Sequence, residues 1–381
     1  MGATRVPRNL DTFTDRELAH YSRHLSLREV GAEGQAKLKE ASVLLIGLGG
    51  LGSPLAMYLA AAGIGRIGLV EFDVVDTSNL HRQVLFGSSQ VGQPKLACGA
   101  ARLRDLNPHI TIDEHACALS RDNAREIIAG YDVVADGADN FATRYLVNDA
   151  CVLEGKALVS ASILAFEGQL SVYNHDGGPC YRCLFPVPPP PGVIPSCAEG
   201  GVLGILPGVM GTLQATEVIK LVLGLGEVAS GRLVHYDALA LAFSSFRLSR
   251  DPQCAICGDA PTITGLVDYD AFCGAGAAAD SLVPQLSAAE AAALLGAADT
   301  VFIDVRDAHE RLVDALPGSE HIPLNALIES GVPFPASSQL VLFCASGSRS
   351  LLAAESLIRR GYDRVHNLEG GLSGWRRAFP Q

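Results

Sequence analysis

A single cysteine near the end of the chain stands in a loop suited to sulfur chemistry. The segment CASGSRS, residues 344–350, places Cys344 after the apolar run QLVLF and before a helical pattern that begins near Ser350. The backbone N–H groups between strand and helix are expected to converge on the sulfur, and with Arg349 nearby they would stabilise a thiolate or a persulfide anion. Cysteine phosphatases have one more residue between cysteine and arginine, which widens the loop for phosphate. The four residues found here favour a sulfane sulfur carried on Cys344.

Two further cysteine pairs have the spacing of metal ligands. Cys180 and Cys183 form one C-x-x-C, and Cys254 and Cys257 form a second about 70 residues later. In a reduced protein two such pairs supply four thiolates for a tetrahedral, structural Zn²⁺ site. The alternatives are a thioredoxin-like redox pair or ordinary buried cysteines.

Cys197 differs from these pairs because it follows the proline-rich segment PVPPPPG and precedes an apolar helical pattern. A helix N-terminus favours the thiolate form of a cysteine, which makes Cys197 a candidate nucleophile. A buried cysteine without chemistry would also fit this position.

A glycine-rich turn lies in the first third of the chain. Gly47, Gly49 and Gly52 give the spacing G-x-G-x-x-G between a predicted strand and a predicted helix, and Asp73 ends the next strand. Glycines let the backbone approach a phosphate, and the aspartate is placed to hold a ribose. The pattern fits NAD as well as ATP, and a tight turn without a ligand would also produce it.

Three charged side chains distinguish these nucleotides. Arg82 in SNLHRQ, Lys95 in GQPK and Asp139 in DGADN all follow predicted strands of the same fold. Each one alone would more often be a surface charge. Together they suit the cleavage of a triphosphate, because cations offset phosphate charge and an aspartate can hold Mg²⁺. We therefore favour ATP with Mg²⁺.

The composition is that of a globular protein in a reducing compartment. The 381 residues are 48% hydrophobic and 18% charged, and the formal net charge of −12 gives no support for nucleic acid or anionic lipid as the main partner. The opening segment MGATRVPRNLDTFTDRE lacks the apolar core of a signal peptide, and Thr14 with Glu17 has capping-box spacing. The uncharged run 41–65 is broken by glycines and a proline, so no membrane insertion is expected. Ten cysteines without a secretory signal favour the cytoplasm.

The elements that must position these residues alternate between strand and helix. After a helix at residues 14–29, the alternation predicts an α/β fold with a doubly wound, mostly parallel sheet, a Rossmann-like domain over residues 1–262. A long apolar helix is expected at residues 201–224. Residues 263–283, which include GAGAAAD, are a predicted linker. Residues 284–381 repeat the alternation on a smaller scale and predict a second small α/β domain.

The motifs of the first domain resemble the ATP site of the ubiquitin-activating-like family, in its bacterial MoeB and ThiF branch. The matching segments are GLGGLGS, FDVVDTSNLHRQ, VGQPK and DGADNFATRY. The resemblance implies that Arg23, in HYSRHLSL, reaches the phosphates of the neighbouring subunit in a homodimer, and that Cys197 forms a thioester or resolves a persulfide. Ala138 stands where the family usually has a hydroxyl residue, a difference that we do not expect to abolish catalysis. The residues implied in binding ATP or Mg²⁺ are Gly47, Gly49, Gly50, Gly52, Asp73, Ser78, Asn79, Leu80, His81, Arg82, Lys95, Asp139 and Asn140.

The last hundred residues resemble the rhodanese family. FIDVRDAHER, PGSEHIPL, CASGSRS and NLEGGLSGW carry this resemblance, with VDALPGS as a departure at a structural position. An inactive regulatory module of this family would usually lack the cysteine, so Cys344 is expected to be active.

The two resemblances together imply one reaction path. The first domain would use ATP to adenylate the C-terminal carboxylate of a ubiquitin-like sulfur-carrier protein ending in Gly-Gly. Cys344, loaded as a persulfide by thiosulfate or by a cysteine desulfurase, would then deliver sulfur to give a thiocarboxylate. Molybdopterin biosynthesis, tRNA thiolation and thiamine synthesis all use such products.

Two other classes of function remain open at this point. An NAD-dependent oxidoreductase with an appended redox domain would bind NAD and release no pyrophosphate. A nucleotide-gated scaffold that binds the carrier without chemistry would tolerate the loss of Asp139.

Overall fold

The computed structural model describes residues 12–189, 200–273, 283–297 and 299–379. These residues group into two compact units, and the boundary between them falls after Tyr269.

The first unit is built on an eight-stranded sheet with the strand order β3-β2-β1-β4-β5-β6-β7-β8. Strands β1 to β5 are parallel, and β6, β7 and β8 are added antiparallel. This arrangement confirms the prediction of a doubly wound, mostly parallel sheet. The strands are β1 Ser42–Ile46, β2 Arg66–Val70, β3 Thr111–His115, β4 Val133–Asp136, β5 Ala157–Leu164, β6 Glu167–Tyr173, β7 Arg232–Asp237 and β8 Ala242–Arg247.

Helices follow each of the first four strands and cover the sheet. They make β1 and β4 almost wholly buried, as expected for central strands of a parallel sheet. The helices are α1 Asp15–His20, α2 Ser22–Leu25, α3 Gly31–Glu40, α4 Gly52–Ala62, α5 Lys95–Leu106, α6 Ala124–Ala129, α7 Phe141–Leu153, α8 Tyr181–Leu184 and α9 Leu206–Leu223, with 3₁₀ turns at Thr77–Asn79 and Ser88–Gln90. The short helix α10 Tyr269–Phe272 spans the boundary between the two units.

The prediction of a single helix at residues 14–29 is wrong. The capping box of Thr14 and Glu17 begins α1 as expected, but the helix ends at Tyr21 and α2 is a separate turn. Tyr21 is buried, and its hydroxyl accepts a hydrogen bond from Asn107 at 2.8 Å. Anchoring this side chain in the interior interrupts a segment whose polar pattern suggested one continuous surface helix.

The core of the first unit lies between β1, α4 and α9. Leu45, Leu55 and Leu59 are buried together with Leu206 and Met210 of α9. The apolar helix predicted at residues 201–224 is thereby confirmed as α9, with a start at Leu206. It lies against the turn between β1 and α4.

The second unit is a five-stranded, all-parallel sheet with the order β11-β10-β12-β13-β9. Buried apolar residues cover both faces of this sheet, which confirms the second α/β domain. Its elements are β9 Gln285–Leu286, α11 Ala288–Leu294, β10 Thr300–Asp304, α12 Ala308–Val313, β11 Glu320–His321, α13 Leu324–Ser330, β12 Gln339–Phe343, α14 Ser348–Arg359, β13 Val365–Leu368 and α15 Gly371–Ala378.

The predicted domain limits at residues 262 and 284 stay a prediction. Tyr269, inside the predicted linker 263–283, belongs to the first unit, where its hydroxyl donates to buried Asp149 at 2.8 Å. The segment GAGAAAD lies outside the described residues. Among the helices described, none combines the length and the apolar composition that crossing a bilayer requires.

Candidate functional site

The glycine-rich turn lies at the carboxyl end of β1, where the strand order reverses. Strand β2 lies on one side of β1 and β4 on the other, which makes this crevice the usual ligand site of a doubly wound sheet. A Cβ atom on Gly52 would lie 2.0 Å from the carbonyl oxygen of Gly47, so the turn requires glycine there. Among the described residues, the backbone N–H groups of Gly49 and Gly50 have no acceptor. Unpaired N–H groups before a helix are suited to bind phosphate.

A lysine and an aspartate meet beside this turn. Lys95 Nζ lies 3.2 Å from Asp73 Oδ2, and the lysine side chain is 5% exposed whereas that of the aspartate is 59% exposed. The backbone N–H of Lys95 also donates to the carbonyl of Asp73. The lysine is therefore held in place, while much of the carboxylate remains accessible to a ligand.

The segment SNLHRQ begins in the 3₁₀ turn Thr77–Asn79, and it exposes Ser78 and His81 whereas Gln83 is buried. Ser78 donates through its backbone N–H and its hydroxyl to Asp76, and these bonds lower the pKa of that carboxyl. Asn79 donates to the Ser78 hydroxyl, and Leu80 packs against the core.

Arg82 completes the segment. Its guanidinium is 3.0 Å from the carbonyl oxygen of Ser78 and 2.9 Å from His81 Nε2. Arg82 Cδ would lie 3.7 Å from a Cβ atom built on Gly50. The structure therefore brings this predicted arginine next to the glycine turn.

Asp139 and Asn140 follow β4 on the other side of the crevice. Both are exposed, and the side chain of Asn140 caps α7 by accepting from the N–H of Thr143 at 2.8 Å. The carboxylate of Asp139 is thus available to a cation.

A buried ion pair beneath Asp139 was missed by the sequence reasoning. Asp136 accepts from the N–H of Ala138 at 2.8 Å, and Arg144 donates to the carbonyl of Ala138 at 2.6 Å. Burial raises the pKa of Asp136, and Arg144 at 3.7 Å opposes that rise. The pair fixes both backbone groups of Ala138, the residue before Asp139. The sequence offered no signal for this beyond an acidic residue at the end of a buried strand.

Arg23 lies exposed on α2. The neighbouring His24 is 3.0 Å from the buried side chain of Gln35, which ties the short helix to α3. The reach of Arg23 toward another subunit stays a prediction.

The four predicted zinc ligands come together in the first unit. The sulfur atoms of Cys180, Cys183, Cys254 and Cys257 all lie within 4.8 Å of one another, and individual pairs are 3.3, 3.6 and 3.9 Å apart. A tetrahedral site with Zn–S bonds of about 2.3 Å needs sulfur separations of about 3.8 Å. Burial raises the pKa of Cys180 and raises that of Cys257 to about 12, so these two thiols keep their protons without a cation. The residues therefore fit Zn²⁺.

Cys344 follows β12, the central strand of the second unit, and is buried. The backbone N–H of Gly347 lies 3.1 Å from its sulfur, and the hydroxyl of Ser350 lies 3.6 Å from it. One backbone N–H of the loop thus contacts the sulfur, and the convergence of several N–H groups on it stays a prediction. Ser350, which the sequence supplied only as the start of a helix, is a second donor.

Arg349 has a partner that the sequence did not reveal. Its guanidinium makes two hydrogen bonds to Glu310, at 2.7 and 2.8 Å. Burial would raise the pKa of Glu310, but the bonds from Arg349 and from the N–H of Asp307 bring it below its ordinary value. Arg349 is therefore fixed by a carboxylate, and its predicted role toward the sulfur stays a prediction. Cys197 lies outside the described residues, so its predicted role also stays a prediction.

The fold and the first site are those of a nucleotide-binding type of α/β domain, followed by a domain whose buried cysteine accepts from a loop N–H. Residues 21–256 match the ThiF family, and residues 287–378 match the Rhodanese-like domain. The chain belongs to the ThiF family and carries a C-terminal rhodanese-like domain, as the sequence resemblances implied.

Several known proteins are similar over most of the chain. "Adenylyltransferase and sulfurtransferase MOCS3" of Mus musculus is 52% identical over 320 residues, covering 82% of this chain and 70% of that protein. "Sulfur carrier protein adenylyltransferase" of Thermus thermophilus is 52% identical over 267 residues, covering 69% and 98%. The crystal structure of E. coli MccB with ATP has a TM-score of 0.57 at 22% identity, covering 66% of this chain and 77% of that one, and shows a shared fold.

Proposed function

We propose that the chain adenylates the C-terminal glycine carboxylate of a ubiquitin-like sulfur-carrier protein and then converts it to a thiocarboxylate. The sulfur would be the terminal sulfur of a persulfide on Cys344. The observation that carries this proposal is the presence, in one chain, of a glycine turn with Lys95 and Asp73 beside it and of a buried cysteine whose sulfur accepts from a loop N–H. An activated acyl group made at the first site is the electrophile that a persulfide at the second requires. The names of the similar proteins support the same pair of reactions.

In the adenylation step an oxygen of the carrier carboxylate attacks the α-phosphorus of ATP. A new C–O–P linkage forms, the bond to the bridging oxygen of the β-phosphate breaks, and pyrophosphate leaves with the bonding electrons. The N–H groups of Gly49 and Gly50, with Arg82 and Lys95, would bind the phosphate oxygens, on which negative charge accumulates. Asp73 would bind the ribose.

Mg²⁺ would be held by Asp139, with Asn140 next to it, and would supply neutralisation of phosphate charge. The remaining implied contacts, from Gly47, Gly52, Ser78, Asn79, Leu80 and His81, belong to the same crevice. Arg23 would act on the phosphates of the other subunit of a homodimer. These assignments extend over a domain that we place at residues 1–262.

In the sulfur-transfer step, within residues 284–381, the terminal sulfur of a Cys344 persulfide attacks the acyl carbon. The C–O bond to the phosphate breaks, AMP leaves, and an acyl disulfide joins the carrier to Cys344. A second thiolate, for which we propose Cys197, then attacks the sulfur of Cys344. This releases the carrier thiocarboxylate and leaves a Cys197–Cys344 disulfide, which a cellular dithiol must reduce.

Zn²⁺ at the four-cysteine site would be structural, since four protein ligands leave no open position. The sulfur donor would be thiosulfate or the persulfide of a cysteine desulfurase, and the compartment would be the cytoplasm. The product would serve molybdopterin biosynthesis, tRNA thiolation or thiamine synthesis. An NAD-dependent oxidoreductase is not favoured, because the similar proteins are named for adenylyl and sulfur transfer.

The test is incubation of the full-length protein with ATP, a carrier ending in Gly-Gly, and thiosulfate. We expect pyrophosphate release and a carrier whose mass has increased by the difference between sulfur and oxygen. Cys344→Ala should keep pyrophosphate release and lose the mass change, whereas Asp139→Ala should lose both. Cys117→Ala removes a partly buried cysteine to which no role in either reaction is assigned, so this variant is the matched control and should behave as wild type.

Two outcomes contradict the proposal. Wild-type protein that releases no pyrophosphate with any Gly-Gly carrier is not an adenylating enzyme of this kind. Wild-type protein that binds ATP and the carrier but produces neither pyrophosphate nor the mass change would support a scaffold without chemistry, and full activity of Asp139→Ala would contradict the role proposed for Asp139.

A further inference from the structure

Glu71 is a buried carboxylate that no predicted contact with ATP includes. It follows the last residue of β2 directly and is 7% exposed. Its Oε2 accepts a hydrogen bond from the backbone N–H of Leu48 at 2.9 Å, and its Oε1 accepts from the N–H groups of Phe72 at 2.9 Å and Asp73 at 3.0 Å. One side chain therefore joins the two segments that would hold the two ends of a nucleotide.

We propose that Glu71 is a positioning residue for nucleotide binding, which sets the glycine turn relative to Asp73. Leu48 lies between Gly47 and Gly49, so a fixed Leu48 N–H determines how the next two N–H groups are directed. The same carboxylate fixes the backbone of Asp73, which in turn contacts Lys95. This inference rests on the proposed binding of ATP at the crevice.

The negative charge of Glu71 allows a positioning role to be distinguished from a purely electrostatic effect on ATP binding. A carboxylate next to a phosphate site repels the ligand, so electrostatics alone would have Glu71→Gln improve the affinity for ATP. The hydrogen bonds predict the opposite result. A glutamine has one acceptor oxygen, and its NH₂ group is a donor that would face a backbone N–H. In the wild type two N–H groups donate to Oε1 and one donates to Oε2. We therefore expect the amide oxygen of the glutamine to keep the hydrogen bonds from Phe72 and Asp73, and the bond from the Leu48 N–H to be lost.

The hydrogen bond that is lost determines which ligands the Glu71→Gln variant should bind more weakly. Loss of the Leu48 contact frees the turn that would hold the phosphates, whereas Asp73 and the ribose side stay in place. Glu71→Gln should therefore discriminate between ATP, which uses both sides, and adenosine, which has no phosphates.

The experiment is calorimetric titration of the full-length wild type, Glu71→Gln, Glu71→Asp and Glu114→Gln with ATP and with adenosine, together with thermal unfolding. Glu114 is the matched control, because it lies on β3 opposite Leu69 of β2 and forms a surface ion pair with Arg104 at 2.8 Å. For Glu71→Gln we expect the Kd for ATP to rise about tenfold to a hundredfold and that for adenosine to change less than about twofold. Glu71→Asp keeps both acceptor oxygens and should lie closer to wild type, and Glu114→Gln should be unchanged.

Three results overturn the assignment. They are tighter or equal binding of ATP by Glu71→Gln, an equal loss for ATP and adenosine that follows a lowered Tm, or Glu71→Asp as weak as Glu71→Gln. The binding assay needs no carrier, so it separates this inference from the proposed reaction. Wild type that binds ATP and releases no pyrophosphate contradicts the reaction alone, and wild type that binds no ATP contradicts both.

Discussion

Replacing Gly52 by alanine sets two physical effects against each other at the nucleotide site. Gly52 is the first residue of α4, and an alanine in a helix is ordinarily more stable than glycine by about 0.5–1 kcal/mol. The new Cβ, however, would lie 2.0 Å from the carbonyl oxygen of Gly47, where a carbon–oxygen contact needs about 3.3 Å. The obstacle is backbone, so the turn itself must move by roughly 1 Å, and overpacking of this kind costs about 1–3 kcal/mol. The steric term is the larger, and we expect net destabilisation of about 1–2 kcal/mol.

The expected effect on activity is greater than the effect on stability. A displacement of about 1 Å in a group that positions a reacting phosphate can cost about a hundredfold in rate. The assays are ATP-dependent pyrophosphate release in the presence of carrier, calorimetric titration with ATP, and thermal unfolding. Gly87→Ala is the matched control, since a Cβ there has no atom within 4 Å. Sulfur transfer from thiosulfate to cyanide should be unchanged in both variants. A Gly52→Ala protein that is more stable than wild type, or that retains its rate of pyrophosphate release, would refute this reasoning.

Three further predictions concern the second unit and the metal site. Gly371→Ala should abolish sulfurtransferase activity and leave pyrophosphate release intact, because the new Cβ would lie 2.5 Å from the carbonyl oxygen of Cys344. Gly361→Ala is the control, since a left-handed backbone there costs a similar amount, about 1–2 kcal/mol, but the new Cβ has open space. Equal loss of sulfurtransferase activity in both variants would contradict the prediction. The pKa of Glu310 in the folded protein is below its ordinary value of 4.5, so the stability that its charge contributes is present above about pH 4.5 and is lost as the pH falls through the folded pKa. In calorimetry, the free energy of unfolding of Glu310→Gln should therefore depend less on pH in that range than that of the wild type. The same pH dependence in both proteins would contradict this prediction. Cys254→Ser should lower the zinc content from about one per chain and lower the Tm, as metal analysis and thermal unfolding would show, whereas full zinc retention would contradict a four-thiolate site.

The sequence predicted best where type and spacing had one physical solution. The alternation of apolar strands with helices required a parallel sheet, and two C-x-x-C pairs had one compact arrangement that used all four thiols. Gly52 could be recognised because a helix start so close to the preceding strand excludes a side chain. These features depend on local geometry, which the chain order already contains.

The features that the sequence did not reveal are contacts between residues far apart in the chain. Glu310 meets Arg349 across 39 positions, and Tyr21 meets Asn107 across 86 positions. A lone glutamate or tyrosine in a polar stretch carries no sign of a distant partner, so the break between α1 and α2 could not be predicted. Arg144 is close to its partner Asp136 in the chain, but their contact depends on how helix α7 packs on the sheet, which residue types and spacing do not indicate.

The spacing of the zinc ligands has a consequence for how the first unit assembles. Cys180 and Cys254 are 74 residues apart, and α9, β7 and β8 lie between them. In a chain without structure, closing a loop of that length costs about 4 kcal/mol, so zinc would bind one cysteine pair at a time and dissociate readily. Only when the intervening elements have packed do all four thiols meet. Full occupancy of the proposed zinc site would therefore require completed assembly of the segment that includes α9, the helix lying against the glycine turn. Chains in which this segment has not packed would therefore lack both a complete zinc site and a complete nucleotide crevice.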